Sequence, residues 1–259
     1  EKAINSNTGL ILKSHWSNYR IQGFTKSVTS KEISDLGKKY NIPTFEDLGS
    51  GLIFQDNNNP FFKDEPKVIE SVKSGVDLIC FSGDKVLGSS QSGIILGKKF
   101  YIDRLKKHPL ARALRIDKIN LSVLEMTLKE YLKENKYISE NIPIIKMLSI
   151  TYEELEIITK NLYQNLISQN LDAEINIIDS NSFAGGGSLP EEKLLTPVLQ
   201  IKPNNISLNS FAKILRVNSP YIIGRIEKKG FIINLRTVSE KQISFIENRI
   251  IEVLKKSGK

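Results

Sequence analysis

Val76-Asp77-Leu78-Ile79-Cys80-Phe81-Ser82-Gly83-Asp84-Lys85-Val86-Leu87-Gly88 is the stretch on which the fold turns. Residues 76–81 form a short apolar run, closed by Ser-Gly-Asp, and such a run suits a buried strand. One lysine, Lys85, stands in the turn just beyond that strand's carboxyl end. Upstream, Gly9-Leu10-Ile11-Leu12 reads as another short strand. Pro43-Thr44-Phe45 leads a third, which ends in Glu46-Asp47-Leu48-Gly49-Ser50-Gly51. Between them, Lys31 to Tyr40 carries Ile33 and Leu36 at helical spacing, with Ser30 as the expected N-cap. Pro66 to Ser74 is expected to be helical, with proline in its first turn and Gly75 as its stop. Ile94-Ile95-Leu96 adds one more strand. Strand–helix–strand repetition with short links predicts an α/β fold with a mainly parallel, helix-covered sheet.

Ligands of open α/β sheets bind beyond the carboxyl ends of the strands, so Asp47 and Lys85 are expected to meet on one edge. An acid and a lysine converging among small residues is the set that pyridoxal phosphate needs. The amine forms a Schiff base, and the carboxylate keeps the pyridine nitrogen protonated so that the ring acts as an electron sink.

Further along, Lys98 to Lys107 and Asp117 to Glu134 read as helices flanking Pro109, and Ile144 to Leu148 and Tyr152 to Gln169 continue the helical stretch. The last ninety or so residues change character. Ala173–Ile178, Leu195–Ile201, Tyr221–Ile226 and Phe231–Leu235 are strand candidates, and Ser210–Leu215 and Glu240–Lys256 helix candidates. Lys228-Lys229-Gly230 reads as a hairpin turn, and Gly185-Gly186-Gly187-Ser188 as a loop. A boundary near residue 140 is expected, dividing a first domain (1–139) from a smaller α+β domain (140–259).

The 259 residues include 37 Lys and Arg against 29 Asp and Glu, a formal charge of +8. That surplus suits a polyanionic partner without specifying a fold. A single cysteine, Cys80, excludes an internal disulfide framework and a multi-cysteine zinc site, and with only His15 and His108 besides, no structural metal is expected. No apolar run approaches the roughly 18 residues of a membrane span. Glu1-Lys2-Ala3-Ile4-Asn5-Ser6 has no signal-peptide core, so a cytoplasmic location is expected.

Several motifs taken together resemble a known family. They are Leu12-Lys13-Ser14-His15-Trp16-Ser17-Asn18-Tyr19-Arg20-Ile21, Glu46-Asp47-Leu48-Gly49-Ser50-Gly51, Ser82-Gly83-Asp84-Lys85 and Pro109-Leu110-Ala111-Arg112-Ala113-Leu114-Arg115. Gly185-Gly186-Gly187-Ser188, Gly224-Arg225-Ile226-Glu227 and Leu235-Arg236-Thr237-Val238 fit as well. The chain resembles the bacterial selenocysteine synthases, the L-seryl-tRNA(Sec) selenium transferases, which are pyridoxal-phosphate enzymes of the aspartate-aminotransferase-like fold (fold type I). The resemblance implies the C-terminal part of a large cofactor-binding domain plus a small C-terminal domain. With the missing initiator Met, it leads to the expectation that an N-terminal part of the full enzyme is absent and that this chain is catalytically inactive.

Carried over residue by residue, the resemblance makes Lys85 the Schiff-base lysine and Asp47 the partner of the pyridine nitrogen. Ser82 falls where a hydroxyl meets the cofactor phosphate, and Asn18 where a polar side chain approaches the phenolic oxygen. Arg112 and Arg115 match an arginine pair that receives the anionic selenium donor. The implied reaction is a β-replacement on serine charged to tRNA(Sec), with selenophosphate as donor, in a homo-oligomer whose minimal unit is a dimer and which forms a larger ring in the family. Two departures concern site geometry: Gly88-Ser89-Ser90-Gln91-Ser92-Gly93 stands where the family has Gly-Gly-Pro-Gln-Ala-Gly, and Trp16 replaces a small or β-branched residue.

Plainer readings accompany these. Cys80, inside an apolar strand, is expected to be a small core residue. His15 suits a hydrogen-bonded structural role as well as a cofactor contact. Arg225 and Arg236 are expected to be structural, because the seryl carboxyl is esterified and carries no charge. Residues 98–118 hold eight basic and two acidic side chains, which a solvated helix also explains. If that segment is helical, Arg112 and Arg115 share one face, and planar guanidinium forks match phosphate-like oxyanions. Two other functions fit the residues: a pyridoxal-phosphate lyase that eliminates from a small amino acid, and a non-catalytic basic module that holds RNA.

Overall fold

The computed structural model describes residues 1–16, 23–54, 59, 62–63, 65–184, 193–227 and 230–256. The chain divides into two units, Glu1–Ser149 with Phe183–Glu192, and Ile150–Ser182 with Lys193–Lys259.

In the first unit, β1 (Ile11–Ser14), α1 (Ser30–Tyr40), β2 (Thr44–Asp47), α2 (Val68–Ser74), β3 (Leu78–Ser82) and β4 (Gly93–Gly97) build a four-stranded sheet in sequence order. The pairs β1–β2 and β2–β3 are parallel. The pair β3–β4 is antiparallel, with Phe81 opposite Ile94. The sheet is mainly parallel, as expected, and antiparallel at one edge for a simple reason: a parallel return needs a crossover of about a dozen or more residues, usually a helix. The link 83–92 contains none.

Local chemistry sets the helix ends. Thr29, not Ser30, is the N-cap of α1, with Glu32 reciprocating in a capping box, and Asn41 closes the helix in the left-handed region. Gly75, at φ 84°, ends α2 as expected. The core beneath the sheet joins Ile33 of α1 and Val68 of α2 to Ile79, Phe81, Leu48 and Leu87, each large side chain contributing about 1.5–3 kcal/mol by leaving water.

Five more helices complete this unit: α3 (Lys99–Lys107), α4 (Pro109–Ala113), α5 (Lys118–Glu130), α6 (Asn135–Asn141) and α7 (Pro143–Ser149). α7 lies beyond the boundary expected near 140, yet it groups with the first unit. The contacts explain this: Ile142 and Ile144 pack close over Gly88, and Asn59 donates to the Leu148 carbonyl at 3.2 Å.

The second unit holds α8 (Tyr152–Ile167), β5 (Ala173–Ser182), β6 (Leu194–Pro203), α9 (Leu208–Val217), β7 (Arg225–Glu227), β8 (Gly230–Ile233) and α10 (Glu240–Lys256). Its antiparallel sheet has the order β5-β6-β8-β7. Phe211 and Leu215 of α9, Leu162 of α8 and Ile250 of α10 share a core with Leu199, Ile201 and Phe231. The strand expected over 221–226 begins only at Arg225. The turn Lys228-Lys229 and the run 185–188 lie outside the described residues, but Glu227 pairs with Gly230 across the hairpin.

Candidate active site

Because β1, β2 and β3 run parallel, their carboxyl ends share one edge of the first unit's sheet. His15 follows β1, Asp47 ends β2, Ser82 ends β3, and Lys85 stands three residues beyond. Backbone bonds continue past the strands: His15 N–H donates to the Asp47 carbonyl at 2.8 Å, Leu48 N–H to Cys80 at 2.9 Å and Ser82 N–H to Gly49 at 2.9 Å. Gly51, at φ 72°, packs against the Phe81 ring and the Ser82 carbonyl, where a Cβ would collide. The Glu-Asp-Leu-Gly-Ser-Gly turn is thus pressed against the end of β3, which brings Asp47 and Lys85 to the same edge.

Asp47 is half-buried, and its Oδ1 accepts the Gly49 N–H at 3.0 Å. Cys80 pairs with it in register. The Cys80 thiol is pushed up to about 12, first by burial and then by the Asp47 carboxylate, so it is a protonated neighbour and not a nucleophile.

Lys85 rides a braced loop. Val86 and Leu87 are buried anchors, Gly88 turns at φ 73° and donates to the Lys85 carbonyl at 2.9 Å. Gly83 N–H donates to Ser92 and Ser89 N–H to Gly83, both at 2.8 Å. The serines that replace the family's usual residues serve this loop: Ser90 Oγ donates to the Asn120 carbonyl of α5 at 2.8 Å, and Ser92 Oγ to the Ser90 carbonyl at 3.2 Å. Lysines elsewhere on the sheet are occupied. Lys13 pairs with Glu46 and Lys98 with Asp77, each at 2.5 Å. Among the described residues, Lys85 has no such ion pair.

The structure adds a group that sequence reasoning missed. Glu65, 4% exposed, accepts a hydrogen bond from the Ser50 hydroxyl, and its Oε2 lies 3.9 Å from His15 Nε2. Burial holds its carboxyl above the usual range, while Ser50 and the Lys85 ammonium pull it down. Nothing in Asp64-Glu65-Pro66 distinguishes it from an ordinary acid ahead of a helix. Its place is set by the pairing of Leu52 with Lys67, which lays residues 65–67 along the turn after β2.

Of the other expected residues, Ser82 is half-buried at the end of β3, and its hydroxyl has no partner among the described residues. Asn18 lies outside the described residues. Arg112 and Arg115 are exposed, and the expected shared helical face is absent, because α4 ends at Ala113 and leaves Arg115 in the link to α5. Neither forms an ion pair among the described residues. Arg225 donates to Glu227 at 2.5 Å and to Ser180 at 2.8 Å, and the buried Arg236 donates to the Ile150 carbonyl at 2.8 Å. Among the described residues no His, Cys, Asp and Glu side chains cluster as a metal group, and no helix is long and apolar enough to cross a membrane.

An amine, a carboxylate and a hydroxyl unpartnered among the described residues, all at the carboxyl ends of parallel strands, have chemistry that fits pyridoxal phosphate. A family model described as L-seryl-tRNA selenium transferase matches residues 1–239. The chain belongs to the L-seryl-tRNA selenium transferase family. This is a pyridoxal-phosphate family. The L-seryl-tRNA(Sec) selenium transferase of Alkaliphilus oremlandii is 44% identical over 254 residues, covering 98% of this chain and 54% of the relative. That of Carboxydothermus hydrogenoformans is 44% identical over 251 residues, covering 97% and 53%. The chain therefore spans about half the length of the curated relatives it matches. Among solved structures, D-glucosaminate-6-phosphate ammonia-lyase aligns with a TM-score of 0.54 at 18% identity, over 100% of this chain and 60% of that one. At that identity the likeness speaks for the fold, which is fold type I of the pyridoxal-phosphate enzymes.

Proposed function

We propose that this chain carries the lysine side of the active site of a selenocysteine synthase, which converts seryl-tRNA(Sec) to selenocysteyl-tRNA(Sec) by β-replacement with selenophosphate as donor. The observation that supports the reading is that Asp47 ends β2 and Lys85 follows β3, the neighbouring parallel strand, without an ion pair among the described residues, in a chain of this family. Pyridoxal phosphate, when bound, supplies an aldehyde for covalent attachment and a protonated ring that draws electron density from the serine Cα. With the cofactor bound, Lys85 would hold its aldehyde and, when its amine is free, would be placed to take the serine Cα proton. Asp47 keeps a proton on the ring nitrogen, with Gly49 N–H fixing its orientation. The Ser82 hydroxyl, without a partner among the described residues, would donate to the cofactor phosphate, and Asn18 would serve its phenolic oxygen.

Arg112 and Arg115 receive the anionic donor. Their exposure without carboxylate partners among the described residues supports that role, since a guanidinium already paired would have to give up that partner to bind an oxyanion. The reading extends to a cytoplasmic homo-oligomer acting on charged tRNA(Sec), in line with the chain's +8 charge. The half-length chain by itself is proposed to be inactive. Leu12 and Ile95, which share Asp47's face of the sheet in register, are 61% and 46% exposed, whereas the chemistry needs a dry, oriented site.

Borohydride reduction of the chain incubated with pyridoxal phosphate, followed by peptide mapping, tests the assignment. The reduced adduct is expected on Lys85, and an adduct confined to Lys13 or Lys98 overturns it.

A further inference from the structure

The peptide unit between Leu87 and Gly88 is held on both sides. Its N–H donates to the Lys85 carbonyl at 2.9 Å, and the Tyr131 hydroxyl donates to its carbonyl, also at 2.9 Å. Two hydrogen bonds therefore run in series from the phenol at the end of α5 to the backbone of Lys85. Gly88 turns there at φ 73°, with Ile142 and Ile144 packed against it. Leu87 is fully buried, so its carbonyl is cut off from water and needs a donor from the protein. Tyr131 is that donor.

Tyr131 is the C-cap of α5, and its half-buried ring packs against the core that includes Ile79, Phe81 and Leu87. Burial pushes the phenol well above its usual range, so it keeps its proton and donates at neutral and mildly alkaline pH. α5 itself has no fully buried residue. It is tied to the Lys85 loop near its two ends, by Tyr131 and by the Ser90 hydroxyl on the Asn120 carbonyl at 2.8 Å. The two ties differ in place. Ser90 lies on the arm of the loop that returns to β4, whereas Leu87 lies on the arm that carries the lysine.

We propose that Tyr131 is a positioning residue for the reaction: through the Leu87–Gly88 peptide it fixes the backbone from which the Lys85 side chain works. The inference rests on the reading of Lys85 given above. In that reading the Lys85 amine serves two atoms in turn, the cofactor aldehyde and the serine Cα proton. Its flexible stem must then swing about a backbone that stays still. A drift of about 1 Å at the backbone carries the amine out of line, and a misplacement of that size costs roughly a hundredfold in rate. Tyr131 belongs to none of the motifs that carry the family resemblance.

Tyr131→Phe removes the hydroxyl and keeps the ring. In this chain, without cofactor, exchange of the Gly88 amide read by NMR is expected to quicken roughly three- to tenfold, the worth of one hydrogen bond. The Ser82 amide, bonded to the Gly49 carbonyl, is expected to keep its rate. Ser90→Ala cuts the other tie and is expected to leave Gly88 exchange unchanged; an equal response to both variants means general loosening of the loop and overturns the proposal. In full-length protein carrying the same residues, Tyr131→Phe is expected to lower kcat per bound cofactor about tenfold or more, with KM for the charged tRNA kept. A merely structural tyrosine would lower cofactor content instead and leave the rate per bound cofactor intact. An unchanged Gly88 rate or an unchanged kcat per bound cofactor in the folded variant overturns the proposal, whereas a borohydride adduct away from Lys85 overturns the earlier reading. If Tyr131→Phe does not fold, 3-fluorotyrosine placed at position 131 keeps ring and hydroxyl and makes the donor more acidic. Gly88 exchange is then expected to slow roughly twofold, as bonds in series strengthen one another, and a rate equal to the parent's overturns the proposal.

Discussion

Asp47 and Cys80 stand at paired positions of β2 and β3, and because these strands are parallel their side chains leave the same face of the sheet. The acid proposed to meet the cofactor ring thus has a thiol beside it, on the strand that carries Lys85 out to the edge. Cys80 is half-buried, and the Asp47 charge makes a second anion beside it unfavourable.

The thiol therefore stays protonated at neutral pH. Its proton affinity, pushed up to about 12, predicts alkylation by iodoacetamide more than about a hundredfold slower than for a free cysteine, since only the thiolate reacts. Asp47→Asn removes the neighbouring charge and is expected to speed the reaction. Alkylation at the free-cysteine rate would show that the two groups do not interact.

His15 sets a pH dependence of stability. Burial and Lys13 lower its folded-state proton affinity below the unfolded value of about 6.5. The folded chain then binds fewer protons than the unfolded chain in the window just below that value, so stability rises with pH through the window and is lost as pH falls. Urea midpoints measured across this range are expected to fall less with acid in His15→Gln than in the parent.

Gly51 is the tightest point of the turn behind Asp47. At φ 72°, an added Cβ would meet Phe81 Cγ and the Ser82 carbonyl at 3.0 Å. Gly51→Ala combines left-handed strain with overpacking and is expected to destabilise by roughly 2–4 kcal/mol. Gly93→Ala, with nothing within 4 Å of the new methyl, serves as the neutral control in the same denaturation series.

Arg112→Ala and Arg115→Ala separate stability from function. Both side chains are exposed, so each substitution is expected to change stability by no more than about 0.5 kcal/mol. In full-length protein carrying the same residues, each is expected to raise the KM for the selenium donor about tenfold or more, the loss of a charge-assisted bond, with cofactor absorbance unchanged. Donor dependence equal to the parent's in both variants would return the pair to plain surface charge.

What the sequence by itself determined was local. Apolar runs of strand length gave β1, β2, β3 and β4 their places, Gly75 its cap, and the turns after β2 and β3 their acid and their lysine, because each depends on neighbours a few residues away. Cap competition already shows the limit: Thr29, not Ser30, starts α1, since only Thr29 has Glu32 at the reciprocal spacing. The tertiary structure alone decided the rest. β4 runs antiparallel because its link to β3 holds no helix, and α7 joins the first unit because Gly88 leaves room for Ile142 and Ile144. Glu65 enters the site only because Leu52 and Lys67 pair across a gap of loop. Its burial against Ser50 and His15 comes from segments that meet in space and are far apart along the chain.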